Sequence, residues 1–246
     1  MQNSHSSYGI VSNSYKPYLT KSAFFIMILV LVAVQNNIQI IKYSFSCFYD
    51  LGEEATMSVA KTLSENPTLR HALIIISSLL IDTTIMTTFV IWIIKGRSWR
   101  FFFTAACFYG VRAILQFTFM MPFPDYYTFD YPGFPSLMVS YKKTNDFFYS
   151  GHIGIPIICG YEFYKSRNYI IPIICVCISL FQGSIMLIHH AHYGVDLIIG
   201  IICAHYFSKL TEKYIKYIDN SFISIDANRN SVRNTNYLLE GNKNDI

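Results

Sequence analysis

The run His189-His190-Ala191-His192-Tyr193-Gly194-Val195-Asp196 sets His192 and Asp196 four residues apart. On a helix this spacing puts both side chains on one face, where the carboxylate can hold one imidazole nitrogen protonated. The other nitrogen is then free to act as nucleophile or base. A second polar run, Asn145-Asp146-Phe147-Phe148-Tyr149-Ser150-Gly151-His152, supplies another imidazole, and like the first it opens an apolar segment. If the two segments are neighbours, His152 meets His192 across a small cavity as an acid opposite a nucleophile. Phosphate suits such a cavity, because helix N-termini present unpaired N–H groups and the positive end of the dipole. Ser150 and Gly151 add a hydroxyl and an unobstructed backbone. Arg112, midway along another apolar stretch, needs an anionic partner, either a lipid phosphate or an acidic side chain.

Taken singly, these residues have plainer readings. His152 could be an interfacial residue, His192 with Asp196 a helix-start ion pair, and His189 and His190 wet interfacial groups. Two such clusters opening apolar segments at one membrane face favour catalysis, because ionisable groups there are costly unless used. His189, His190 and His192 spread around a turn, which disfavours a metal site, and no cofactor is implied. Asp82 is a carboxylate inside an apolar segment with no obvious partner.

The elements that must position these groups are membrane helices. Hydrophobic residues make up 52% and charged residues only 14% of the 246, against about a quarter charged in soluble domains. Mean hydropathy is +0.33. The 17% aromatic content suits interfacial belts. Six segments approach the length of a span: Ser22 to Ile41, Ala72 to Ile94, Phe101 to Met121, Gly151 to Tyr164, Ile170 to Ile188 and Tyr193 to Phe207. The fourth and sixth are short and are expected to start below the surface at a polar cavity. The fold class is therefore all-α, a polytopic bundle of six transmembrane helices. It comprises a cytosolic segment 1–21, a catalytic membrane domain 22–211, and a polar tail 212–246 without regular structure. The polar N-terminal stretch does not have the layout of a signal peptide.

Loop charges orient the bundle. Lys16, Lys21, Lys95, Arg97, Arg100, Lys165, Arg167, Lys209, Lys213 and Lys216 fall on one side. Lys42, Lys61, Arg70, Lys142 and Lys143 on the other are diluted by Asp50, Glu53, Glu54, Glu65, Asp125, Asp130 and Asp146. Both termini are expected in the cytosol and both polar clusters on the exoplasmic side. Five of the six cysteines lie in apolar runs and read as buried thiols, and Cys175 and Cys177 do not have redox or zinc spacing.

These motifs resemble the sphingomyelin synthase-like branch of the lipid phosphatase and phosphotransferase superfamily, which includes plant phosphatidylcholine:diacylglycerol cholinephosphotransferases. Asp146 to His152 is similar to its D-x-x-x-S-G-H element. Leu187 to Asp196 is similar to its H-x-H-Y-x-x-D element, with His190 at the first histidine. The stretch from Gly110 through Arg112 to Pro124 resembles its arginine-containing helix ending in a proline pair. The resemblance runs from about residue 96 to residue 205. It implies His192 as nucleophile, Asp196 as its orienter and His152 as proton donor, with Ser150, Gly151, Arg112, Asp146 and His190 around the phosphate. It implies no metal and no nucleic acid. The substrates implied are membrane lipids: phosphatidylcholine or phosphatidylethanolamine as donor, ceramide or diacylglycerol as acceptor. Golgi, endoplasmic reticulum or plasma membrane is the implied compartment. Two departures stand out. Met186 occupies the place of the phosphatase arginine six residues before the nucleophile, which disfavours monoester hydrolysis and leaves phosphodiester hydrolysis open. Gly194 stands where the synthases carry Thr, and is expected to loosen the first turn of its helix.

Overall fold

The computed structural model describes residues 16–37, 49–96, 98–119, 121–141 and 147–241. Among them the secondary structure is entirely helical: α1 (Lys16–Asn37), α2 (Leu51–Glu65), α3 (Pro67–Lys95), α4 (Arg100–Thr118), α5 (Gly151–Lys165), α6 (Ile170–Ile188) and α7 (Gly194–Gly241). The six expected segments correspond to α1 and α3 to α7. Helices α3, α6 and the Gly194–Tyr217 part of α7 are long and apolar enough to cross a bilayer. Helix α1 contributes a shorter apolar stretch, Tyr18–Val30. The 15-residue α5 is short for a crossing, at about 1.5 Å per residue. It is enclosed instead by α3, α4, α6 and α7, so most of its apolar residues face protein. Ile153, Ile155, Ile158, Cys159 and Phe163 are all buried there.

Polar bonds tie these helices where lipid supplies none. Ser77 Oγ donates to Gln182 Oε1 at 2.6 Å, and Gln182 Nε2 returns a bond to the Ser77 carbonyl at 2.7 Å, linking α3 to α6. Ser179 Oγ donates to the Ile153 carbonyl at 2.8 Å and links α6 to α5. At the end of the bundle that carries Lys165, Arg100 forks onto Glu162, and Lys165 and Tyr161 both bond Glu212.

Three expectations change. The stretch expected as a loop between residues 42 and 71 contains α2, whose buried stripe is Ala60 and Leu63. Its start was encoded: Asp50-x-x-Glu53 has the spacing of a capping box, and Asp50 Oδ1 accepts the Glu53 N–H at 3.0 Å. The tail expected to lose structure from residue 212 is helical to Gly241. Residues 201 to 240 hold no Gly or Pro to stop a helix already nucleated in the bundle. Of the cysteines expected to be buried, only Cys159 and Cys175 are. Cys107 and Cys177 are exposed and Cys203 is intermediate, because apolar helix faces here point outward as well as inward. Cys47 lies outside the described residues.

Candidate active site

The site is assembled where α6 ends and where α5 and α7 begin. Helix α6 closes on a Schellman turn: the His190 N–H bonds the Leu187 carbonyl at 3.0 Å and the Ala191 N–H bonds the Met186 carbonyl at 2.8 Å. His190 takes the left-handed position usual for glycine, with φ 48°. Histidine is among the residues that tolerate it. The chain then turns straight into α7. The Tyr193 N–H donates to Asp196 Oδ2 at 3.1 Å, and the Gly194 N–H donates to Asp50 Oδ2 at 3.0 Å. Asp50 therefore caps α2 with one oxygen and α7 with the other. A Cβ on Gly194 would lie 3.3 Å from both carboxylate oxygens. The glycine expected to loosen this turn instead admits a second cap to it.

Helices α5 and α7 meet at their first turns. The Ser150 N–H donates to the Asp196 carbonyl at 3.1 Å. A Cβ at Gly200 would stand 2.7 Å from the Ser150 carbonyl oxygen, so only glycine allows this approach. The result brings the His152 and His192 rings to 5.8 Å between centroids. Asp196, fully buried, holds Oδ2 3.6 Å from His192 Nδ1. That is an ion-pair distance, and catalytic hydrogen bonds commonly tighten as substrate is engaged. Ser150 Oγ, His152 Nε2, His192 Nδ1 and Asp196 Oδ1 are buried without a hydrogen-bond partner. Each such atom costs about 1–3 kcal/mol, so their clustering at two helix N-termini marks a place built for a polar guest.

Arg112 reaches this cluster from α4. Its Nε donates to the Tyr149 carbonyl at 2.8 Å and its Nη1 to Gln116 Oε1 at 3.3 Å. A Cβ on Gly151 would lie 3.7 Å from the same Nε. The guanidinium thus sits beside the start of α5, adding positive charge where the helix dipole is already positive.

Not every expected residue joins. His190 points to α2: its Nε2 lies 3.2 Å from Thr56 Oγ1, and its Nδ1 bonds the Asp125 carbonyl. It fastens α2 and the 122–130 loop to the end of α6, and does not face the paired imidazoles. Asp146 lies outside the described residues. His189, read as a wet interfacial group, is fully buried, with Nδ1 3.1 Å from Thr128 Oγ1. Burial pushes its pKa down to about 4, against the opposing hydrogen bond to the Thr128 backbone. Burial also raises the Glu53 carboxyl, which accepts the Asp125 N–H. Phe147 and Phe129 were not singled out in the sequence. The Phe147 ring is 6.2 Å from that of His192, and Phe129 stands between His152 and His189 at 5.8 and 6.0 Å.

A model of the AtPDCT1/2 family matches residues 49–213. The chain belongs to this family. The match covers α2 to α6 and the first part of α7, and starts just before Asp50, well upstream of the motifs that first suggested the resemblance. The chain is also 24% identical over 168 residues to phosphatidylcholine:diacylglycerol cholinephosphotransferase 1 of Arabidopsis thaliana, an alignment covering 68% of this chain and 54% of the relative. The chain thus spans about half the length of that relative. No solved structure matches it.

Proposed function

We propose that this chain transfers a phosphocholine or phosphoethanolamine headgroup from a glycerophospholipid to a lipid alcohol through a phosphohistidine. The observation that carries the reading is the 5.8 Å approach of the His152 and His192 rings at two helix N-termini, with Asp196 against His192 Nδ1. In the first half-reaction His192 Nε2 attacks phosphorus, the bond from phosphorus to the diacylglycerol oxygen breaks, and protonated His152 gives its proton to the leaving alkoxide. Asp196 holds Nδ1–H and stabilises the charge that grows on the ring. In the second half-reaction the acceptor hydroxyl passes its proton to His152 and attacks phosphorus, and the phosphorus–nitrogen bond breaks. Arg112 and the N-termini of α5 and α7 offset the phosphate charge in both steps.

The name of the Arabidopsis relative favours diacylglycerol as acceptor, with ceramide as the competing alcohol. The loop charges favour cytosolic termini and a site on the lumenal or exoplasmic side, the six apolar segments favour six crossings, and the family resemblance favours Golgi, endoplasmic reticulum or plasma membrane. The test is full-length protein in nanodiscs with headgroup-labelled phosphatidylcholine and either diacylglycerol, ceramide or neither. Transfer of label to one alcohol, together with an acid-labile phosphoryl adduct on His192, is expected. Release of free phosphocholine at the same rate with and without acceptor would make the protein a phosphodiesterase. Unchanged turnover in His192→Ala would remove the catalytic reading altogether.

A further inference from the structure

Asp82 lies near the middle of the membrane-crossing helix α3, about 22 Å from its start at 1.5 Å per residue. A carboxylate at that depth is expensive and marks function or a dedicated partner. Its partner is a segment of irregular backbone. Asp82 Oδ1 accepts Ser136 Oγ–H at 3.0 Å and the Met138 N–H at 3.2 Å, and Oδ2 accepts the Leu137 N–H at 3.0 Å. Without such acceptors, free N–H groups at bilayer depth would each cost several kcal/mol. Asp82 is therefore what allows the strap from Phe129 to Tyr141 to lie along α3.

The same strap reaches the catalytic pair. One helical turn from Asp82, Ser78 Oγ accepts the Tyr141 hydroxyl at 2.8 Å. Tyr141 packs on Phe129 at 5.9 Å between ring centroids, and Phe129 packs on His152 at 5.8 Å. Beyond Asp130, which pairs with Arg70, the strap's outward side is apolar: Tyr131 is 55%, Phe134 39% and Leu137 63% exposed. An unbroken path thus runs from an apolar outer surface, level with the middle of a membrane helix, to the proton-donating imidazole.

We infer that Phe129–Tyr141 is the surface against which an acyl chain of the phospholipid donor lies while its phosphate is at His192, and that Asp82 is the positioning residue that holds this surface. The inference rests on the headgroup-transfer reading. A glycerophospholipid whose phosphate is buried between the tips of α5 and α7 must leave its chains directed into the bilayer. The strap is the apolar, non-helical wall that connects that depth to His152. Its outer residues would contact the chains, while Asp82, satisfying the strap's backbone, touches no reacting atom.

The experiment uses the full chain in vesicles containing phosphatidylcholine with a photoactivatable diazirine partway along one acyl chain. Crosslinks mapped by mass spectrometry are expected on Phe134 to Met138, and are expected to fall about tenfold in Asp82→Ala, with Asp82→Asn between the two. Leu137→Ser leaves the bonds of Asp82 intact and guards against misfolding as the cause. It is expected to lower the labelling of the strap as well. In the transfer assay, Asp82→Ala is expected to raise KM for long-chain phosphatidylcholine about tenfold with kcat nearly constant, the mark of binding lost equally from ground and transition states. Labelling confined to other helices, equal labelling of wild type and Asp82→Ala, or a loss of kcat at constant KM would each overturn the inference. If the wild-type protein transfers and hydrolyses nothing, the headgroup-transfer reading fails, and the crosslinks still decide whether the strap holds lipid.

Discussion

The double cap at Asp50 makes a prediction that neither helix would make alone. Asp50 accepts the Glu53 N–H of α2 and the Gly194 N–H of α7, each at 3.0 Å. Losing an N-cap costs about 1 kcal/mol, and losing a hydrogen bond to a charged acceptor about 1.5–3 kcal/mol. Asp50 is half-buried, which favours the low end, so Asp50→Ala is expected to destabilise the fold by about 2–3 kcal/mol. Gly194→Thr in the wild-type chain brings a Cβ to 3.3 Å from both carboxylate oxygens. The carboxylate must then move by a few tenths of an ångström, at a cost of about 1 kcal/mol. In the Asp50→Ala background that clash is gone, and replacing a helical glycine recovers a few tenths of a kcal/mol of helix propensity. The sign of the Gly194→Thr effect should therefore reverse, giving a coupling of about 1 kcal/mol. The assay is a double-mutant cycle of unfolding in mixed micelles titrated with sodium dodecyl sulfate, alongside initial transfer rates. Because Asp196 sits in the turn that Asp50 holds, Asp50→Ala should also slow transfer by roughly 10- to 100-fold. Additivity of the two substitutions within about 0.5 kcal/mol would refute the shared cap.

Other outcomes follow from the same geometry. His152→Ala should lower transfer by about 10²- to 10⁴-fold while the protein still binds phospholipid, measured by turnover and by lipid retained on purification. Gly200→Ala places a methyl 2.7 Å from the Ser150 carbonyl oxygen. It should cost about 1–3 kcal/mol and slow transfer by parting the first turns of α5 and α7, read by thermal unfolding and initial rate. His189, with its folded pKa pushed down to about 4 from 6.5, must shed a proton on folding. Its stabilising effect is full above pH 6.5 and is lost as the pH falls from there to about 4, amounting to about 3 kcal/mol. His189→Asn should flatten the stability profile across that window in a pH series of unfolding measurements.

Much of this protein is legible in its sequence because apolar runs, helix-start polar residues and i,i+4 spacing are local properties. Among the described residues six of the seven helices follow from hydropathy, and the pairing of His192 with Asp196 follows from spacing alone. Helix α2 escaped because its buried stripe is only Ala60 and Leu63, too narrow to register as an apolar run. Its capping residues were nevertheless a usable signal. Asp82 had no visible partner because the partner is a strap more than fifty residues away, joined by backbone N–H groups that every sequence possesses. His190 illustrates the reverse case. Its place in the motif implied phosphate, but the Schellman turn swings it toward Thr56 and Asp125. The residues proposed to carry the chemistry thus stand out by residue type and local period. Which histidines face one another, what holds the first turn of α7, and what the intramembrane carboxylate supports depend on contacts between distant segments, and these exist only once the helices pack.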